Sequence, residues 1–115
     1  MTDISTGAQT LTSAGVVTGT LDTSALTLRP TIRVDVTGMT SGAARIAIED
    51  TANSSEFSDA QTVAVWDVTG NEAELELSIT PDMIPSMRMG AAHNQLRANV
   101  TQLTASTITV HAYLA

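Results

Sequence analysis

The sequence predicts an all-β chain: an antiparallel β-sandwich of six to eight short strands with an extended N-terminal arm, a small β-barrel being the alternative. Three observations predict it. Apolar and polar residues alternate with a period of two in separate runs, most clearly at the C-terminus. There Leu96, Ala98 and Val100, then Ile108, Val110, Ala112 and Leu114, alternate with polar neighbours. Turn-forming residues interrupt these runs at a spacing of about ten residues. No stretch carries the helical period over an ordinary helix length.

Composition bounds what such a chain can be. With 115 residues and 43% hydrophobic content it can bury one core but not two. Trp66, Tyr113 and Phe57 are single aromatics of each kind, so the core must be built from Val, Ile, Leu, Met and Ala. Nineteen threonines favour extended backbone and supply hydroxyls for cross-strand bonds. The absence of cysteine excludes disulfides and thiolate metal sites. Five arginines and no lysine face twelve carboxylates, a formal net charge of -7. Arg29, Arg33, Arg45, Arg88 and Arg97 are too scattered to form a phosphate-binding stripe, which argues against nucleic acid as a partner. No apolar run is long enough to span a bilayer, and the polar N-terminus lacks the pattern of a signal peptide, so synthesis in a cytoplasm and no membrane partner are expected.

Taken in order, residues 1–28 are rich in Thr, Ser and Gly with thinly spread apolar residues, and read as an arm holding one or two short strands. Ala14 to Leu21 is the part suited to join the main sheet as an edge. Residues 29–115 form the β-sandwich domain, so removal of the arm is expected to leave a folded body. Within it Ile32, Val34 and Val36 alternate with Arg33 and Asp35, and Gly38 to Gly42 is a loop. Ala44, Ile46 and Ile48 then form a second strand. Residues 50–59 are polar and loop-like. Thr62 to Val68 is apolar on both faces, which marks a central strand or one lying under a contact. After a turn at Thr69-Gly70-Asn71, Leu75, Leu77 and Ile79 point inward and Glu74, Glu76 and Ser78 outward. Thr80-Pro81-Asp82 starts at most one helical turn before Pro85. Thr104-Ala105-Ser106 suits a hairpin between the last two strands.

Residues able to carry chemistry are few. His93 and His111 lie far apart in sequence with no cysteine to join them, so neither a metal centre nor a nucleophilic triad is expected, and no catalytic residue or cofactor is assigned. Asp50, Asn53, Glu56 and Asp59 offer oxygen donors of the kind calcium accepts, but their spacing is not that of an EF-hand and a solvated loop explains them. Phe57 is expected to pin that loop to the core. Glu74 and Glu76 share one solvated strand face, a weak basis for acid–base catalysis. Trp66 reads first as a core or interface anchor and second as a sugar platform. The contact candidates are Ile4, Leu11, Val16 and Val17 on the arm and Trp66, Val68, His111 and Tyr113 on the body.

The succession Val34-Asp35-Val36-Thr37-Gly38, then residues 44–57, then Leu96-Arg97-Ala98-Asn99-Val100-Thr101 and Ile108-Thr109-Val110, resembles the small β-sandwich decoration (cement) proteins of tailed bacteriophage heads, over about residues 32–114. The resemblance implies a structural virion protein on the capsid exterior that stabilises contacts between capsomers. Its partner would be the major capsid protein of a phage shell, with a homo-oligomer such as a trimer as an addition. An excess of carboxylates suits a position away from packaged DNA. A phage tail or neck component and a carbohydrate- or receptor-binding module are the alternatives.

Overall fold

The computed structural model describes residues 2–22, 31–39, 41–51, 61–69, 75–78 and 95–114. They form nine antiparallel strand segments: β1 (Thr2–Asp3), β2 (Gln9–Leu11), β3 (Gly15–Asp22), β4 (Thr31–Thr37), β5 (Ala43–Thr51), β6 (Gln61–Thr69), β7 (Leu75–Ser78), β8 (Gln95–Leu103) and β9 (Ile108–Leu114). One sheet runs β1-β9-β4-β7, with β2 also paired to β9, and the other runs β3-β8-β5-β6. They form a β-sandwich. Alternation explains the core directly: Ile32, Val34 and Val36 of β4 and Ile108, Val110, Ala112 and Leu114 of β9 are buried. So are Ala44, Ile46 and Ile48 of β5 and Leu96, Ala98 and Val100 of β8. All of these belong to one cluster between the sheets. Each fully buried Val or Ile contributes about 1.5–3 kcal/mol, which is how a core nearly devoid of aromatics holds.

Strand identity follows the sequence reading, but strand partnership does not. The chain changes sheet between most consecutive strands, and β5 with β6 is the consecutive pair that forms a hairpin. The Thr104-Ala105-Ser106 link expected to close a hairpin is instead an arch, because β8 pairs with β3 and β5 while β9 pairs with β4 and the N-terminal strands. A period of two says which face of a strand is buried and nothing about its neighbour. The segment from Thr62 to Val68 is likewise an edge of its sheet rather than its centre.

The segment expected as an arm is woven into both sheets. β1 and β2 lie end to end along β9, and β3 covers the edge of β8. Ile4 and Val17 are fully buried, and Leu21 nearly so. Between β1 and β2 the chain leaves the ladder, and Ser5 repairs it: Ala112 N donates to Ser5 Oγ at 2.9 Å, while the amides of Ile4 and Ser5 donate to Ala112 O at 2.8 and 3.0 Å. The Gln9 carboxamide then stitches the sheets at this side, its Nε2 donating to Thr18 O at 2.6 Å and its Oε1 accepting from Thr18 N at 2.9 Å. Gly19 permits the irregularity in β3 beside this seam. Its φ is 121°, and a Cβ there would lie 2.6 Å from the Thr6 backbone nitrogen.

At one end of the sandwich the crossover after β4 meets the arch after β8. Met39 plugs the core there, fully buried. Thr104 Oγ1 accepts from Ala43 N at 2.8 Å, and Thr107 Oγ1 donates to Gly38 O at 3.0 Å. Thr80 to Asn94, the loop residues Asn53, Glu56, Phe57 and Asp59, the Gly70-Asn71 turn, and the side chains of Glu74 to Ser78 lie outside the described residues.

Candidate functional site

With the inner faces committed to the core, the described strands can meet a ligand or partner through their two outer faces. On the β9–β4 side the outward residues are Thr109, His111 and Tyr113 of β9 and Arg33, Asp35 and Thr37 of β4, the even positions of both strands being buried. The register sets His111 beside Asp35 and Tyr113 beside Arg33 and Asp3. His111 Nε2 donates to Asp3 Oδ1 at 2.8 Å, and Gly7 N donates to Asp3 Oδ2 at 3.3 Å. The rings of His111 and Tyr113 are 4.8 Å apart and tilted by 38°, and Tyr113 Oη donates to Asp35 Oδ1 at 3.3 Å. The hydrogen bond from His111 holds the Asp3 carboxyl below the usual carboxylate range, assisted by the Gly7 amide and opposed by desolvation. Thr10 and Thr109 share a hydroxyl bond of 2.8 Å further along the face.

The β8–β5 side is built differently. Val16, Asn99, Ala47 and Val65 form one outward row across all four strands. Val16 and Val65, at its two ends, are 46% and 48% exposed, the large hydrophobic residues most open to solvent among those described. Ion pairs flank the row on both sides. Arg45 Nε meets Asp67 Oδ1 at 2.8 Å in the open, and Arg97 Nε meets Glu49 Oε1 at 2.8 Å in a more sheltered position. Asn99 Nδ2 also donates to Glu49 Oε1 at 3.3 Å. The hydrogen-bonded contact raises the Arg45 guanidinium and lowers the Asp67 carboxyl from their ordinary values.

Of the contact candidates, Ile4, Val17 and Val68 are core residues and offer nothing to a partner: alternation turns Val17 and Val68 inward, and Ile4 is buried where the chain leaves the ladder between β1 and β2. Leu11 and Trp66 are partly buried and pack against the core, so the Ala64, Trp66 and Val68 face of β6 is an inner face. Val16, His111 and Tyr113 do reach the outer surface. Sequence reasoning missed Asp3 and Asp35 as companions of His111 and Tyr113. Asp3 is 108 residues away from His111, and no local pattern encodes that meeting. It also missed Val65, although the double apolar character of its strand was the signal.

Among the described residues no three His, Asp or Glu side chains converge to hold a metal ion. A cleft lined by Ala43, Ala44, Asp67, Val68, Thr69, Gln102 and Thr104 has a volume of about 150 Å³. That is below the roughly 300–1,000 Å³ of sites that enclose a small molecule.

No family model matches the chain, and no curated protein matches it. Among solved structures, one described as "CBM4 structure and function" is similar at a TM-score of 0.47 and 18% identity, over 99% of this chain and 85% of that one.

Proposed function

We propose that the chain is a structural, non-catalytic virion protein, a decoration protein that attaches to the exterior of an assembled tailed-phage head and stabilises contacts between capsomers. The carrying observation is the pairing of polar side chains on the described outer faces. Their polar side chains are tied to one another as Asp3–His111, Tyr113–Asp35, Arg45–Asp67 and Arg97–Glu49 instead of converging on one reacting point. A body of this kind supplies surface rather than chemistry. The likeness in strand and loop pattern to phage cement proteins supports the same reading, as does the net charge of -7, which suits the side of a shell away from DNA. A small protein that binds an assembled lattice in preference to free subunits stabilises the lattice by mass action. The test is co-sedimentation with empty shells and with unassembled coat subunits. Saturable binding to shells, with a raised temperature of shell disruption, is expected. Binding to free subunits alone would refute the reading.

A carbohydrate-binding role is the second reading, favoured by the His111–Tyr113 ring pair set between Asp3 and Asp35. Rings of this kind stack on the apolar faces of sugars, and flanking carboxylates accept hydroxyl hydrogen bonds. Glycan-array binding that disappears in Tyr113→Ala would favour it over the first reading, and silence of the array would remove it.

A further inference from the structure

We propose that the outer face of the β3-β8-β5-β6 sheet binds a second copy of this chain, the two copies related by a two-fold axis that runs parallel to the strands between β8 and β5. Charge favours this pairing. The whole chain carries -7, yet the described charges on this face are Arg45 with Asp67 and Arg97 with Glu49, which cancel. With these described charges cancelled, two copies meet on this face without repelling each other through them. The residue pattern is self-complementary. The row Val16, Asn99, Ala47, Val65 has a large exposed apolar residue at each end, with the half-buried Asn99 and the buried Ala47 between them. A two-fold axis through its middle sets Val16 of one copy against Val65 of the other at both ends, the self-complementary contact that a closed dimer requires.

The face is also large enough. Four strands spaced about 4.8 Å apart and some nine residues long present roughly 550 Å² per copy, or about 1,100 Å² in a pair. This exceeds the usual lattice contact and stands at the low end of specific interfaces, the class in which reversible association is found. Stacked sheets pack about 10 Å apart, and the Arg45–Asp67 pair lies at the margin, where exposure costs it little. The inference is independent of whether the protein decorates a shell or binds a glycan.

The test is sedimentation velocity of the full chain over a concentration series, with circular dichroism to confirm folding. The wild type is expected to show a reversible monomer–dimer equilibrium. Val65→Glu and Val16→Lys, both at half-exposed positions, should each weaken it by at least about tenfold while melting as the wild type does. Combining Val16→Lys with Val65→Glu in one chain should restore association, because the axis brings the two new charges together. A wild type that stays monomeric at every concentration would overturn the proposal, as would single variants that associate unchanged. A monomer whose shell binding is abolished by Val65→Glu would overturn it too, by giving the face to the shell.

Discussion

On the β9–β4 side of the sandwich hydroxyls, rings and carboxylates are bonded to one another, whereas on the β8–β5 side a row with an exposed valine at each end lies between two ion pairs. The inner faces of the same strands are alike in kind, built mainly of Ile, Val, Leu and Ala, with Asp50 of β5 the buried charged exception among the described residues. The contrast teaches where the information for stability and for contact resides. Inward positions need only be apolar and of suitable volume, and many sequences satisfy that. Outward positions are free of that demand, so a difference between the two outer faces reports what each face meets. A polar, bonded face stays in solvent or receives a polyhydroxylated ligand. A neutral face with exposed valines is better suited to protein.

The comparison rests on the inner faces being equally indispensable, including the part contributed by the first 22 residues. Val17→Asp therefore carries the largest expected effect: an unpaired carboxylate in the core should cost at least about 4 kcal/mol and abolish the cooperative urea transition. A wild-type midpoint would mean that β3 is dispensable, as an appended arm would be. Next is the seam that joins the sheets. Gly19→Ala places a Cβ against the Thr6 backbone at a φ of 121° and should lower stability by about 3 kcal/mol, read as a drop in melting temperature. Ser5→Ala removes the acceptor of the buried Ala112 amide and should cost about 1–2 kcal/mol. An unchanged melt would show that β9 does not need this bond.

The smallest effect sharpens the outer-face contrast itself. The folded state lowers the Asp3 carboxyl, chiefly through His111, below its unfolded value of about 3.9. The stability this contributes is present above about pH 4 and is lost as pH falls through the folded value. Asp3→Asn should accordingly flatten the acid limb of a urea-midpoint profile, and the effect should be modest because the carboxylate is exposed. An identical slope in both proteins would remove Asp3 from the linkage.

Much of the sandwich was legible in the sequence because its strands alternate without ambiguity. Ile32 to Val36, Ala44 to Ile48, Leu96 to Val100 and Ile108 to Leu114 are buried at the positions alternation assigns. What alternation cannot encode is pairing, so a hairpin was expected where Thr104 to Ser106 arches between sheets. The N-terminal strands were hard to see for a related reason. β1 and β2 are two and three residues long, and the break between them is held by Ser5, a polar residue fully buried through bonds to a strand over a hundred residues away. The candidate site was half legible. His111 and Tyr113 stand two apart on one strand and so share a face, but Asp3 and Asp35 reach them through sheet register alone. Val65 betrayed itself by making both faces of an edge strand apolar, a pattern that a buried centre would also produce.

The most direct test of the central claim, that this sandwich serves as a passive exterior fitting of a phage head, is image reconstruction of intact particles that contain it. The account predicts copies of the sandwich at symmetry-related positions on the outer surface of the shell, touching neighbouring capsomers. Particles whose shells carry no such density, with the chain found in the tail or absent altogether, would contradict it.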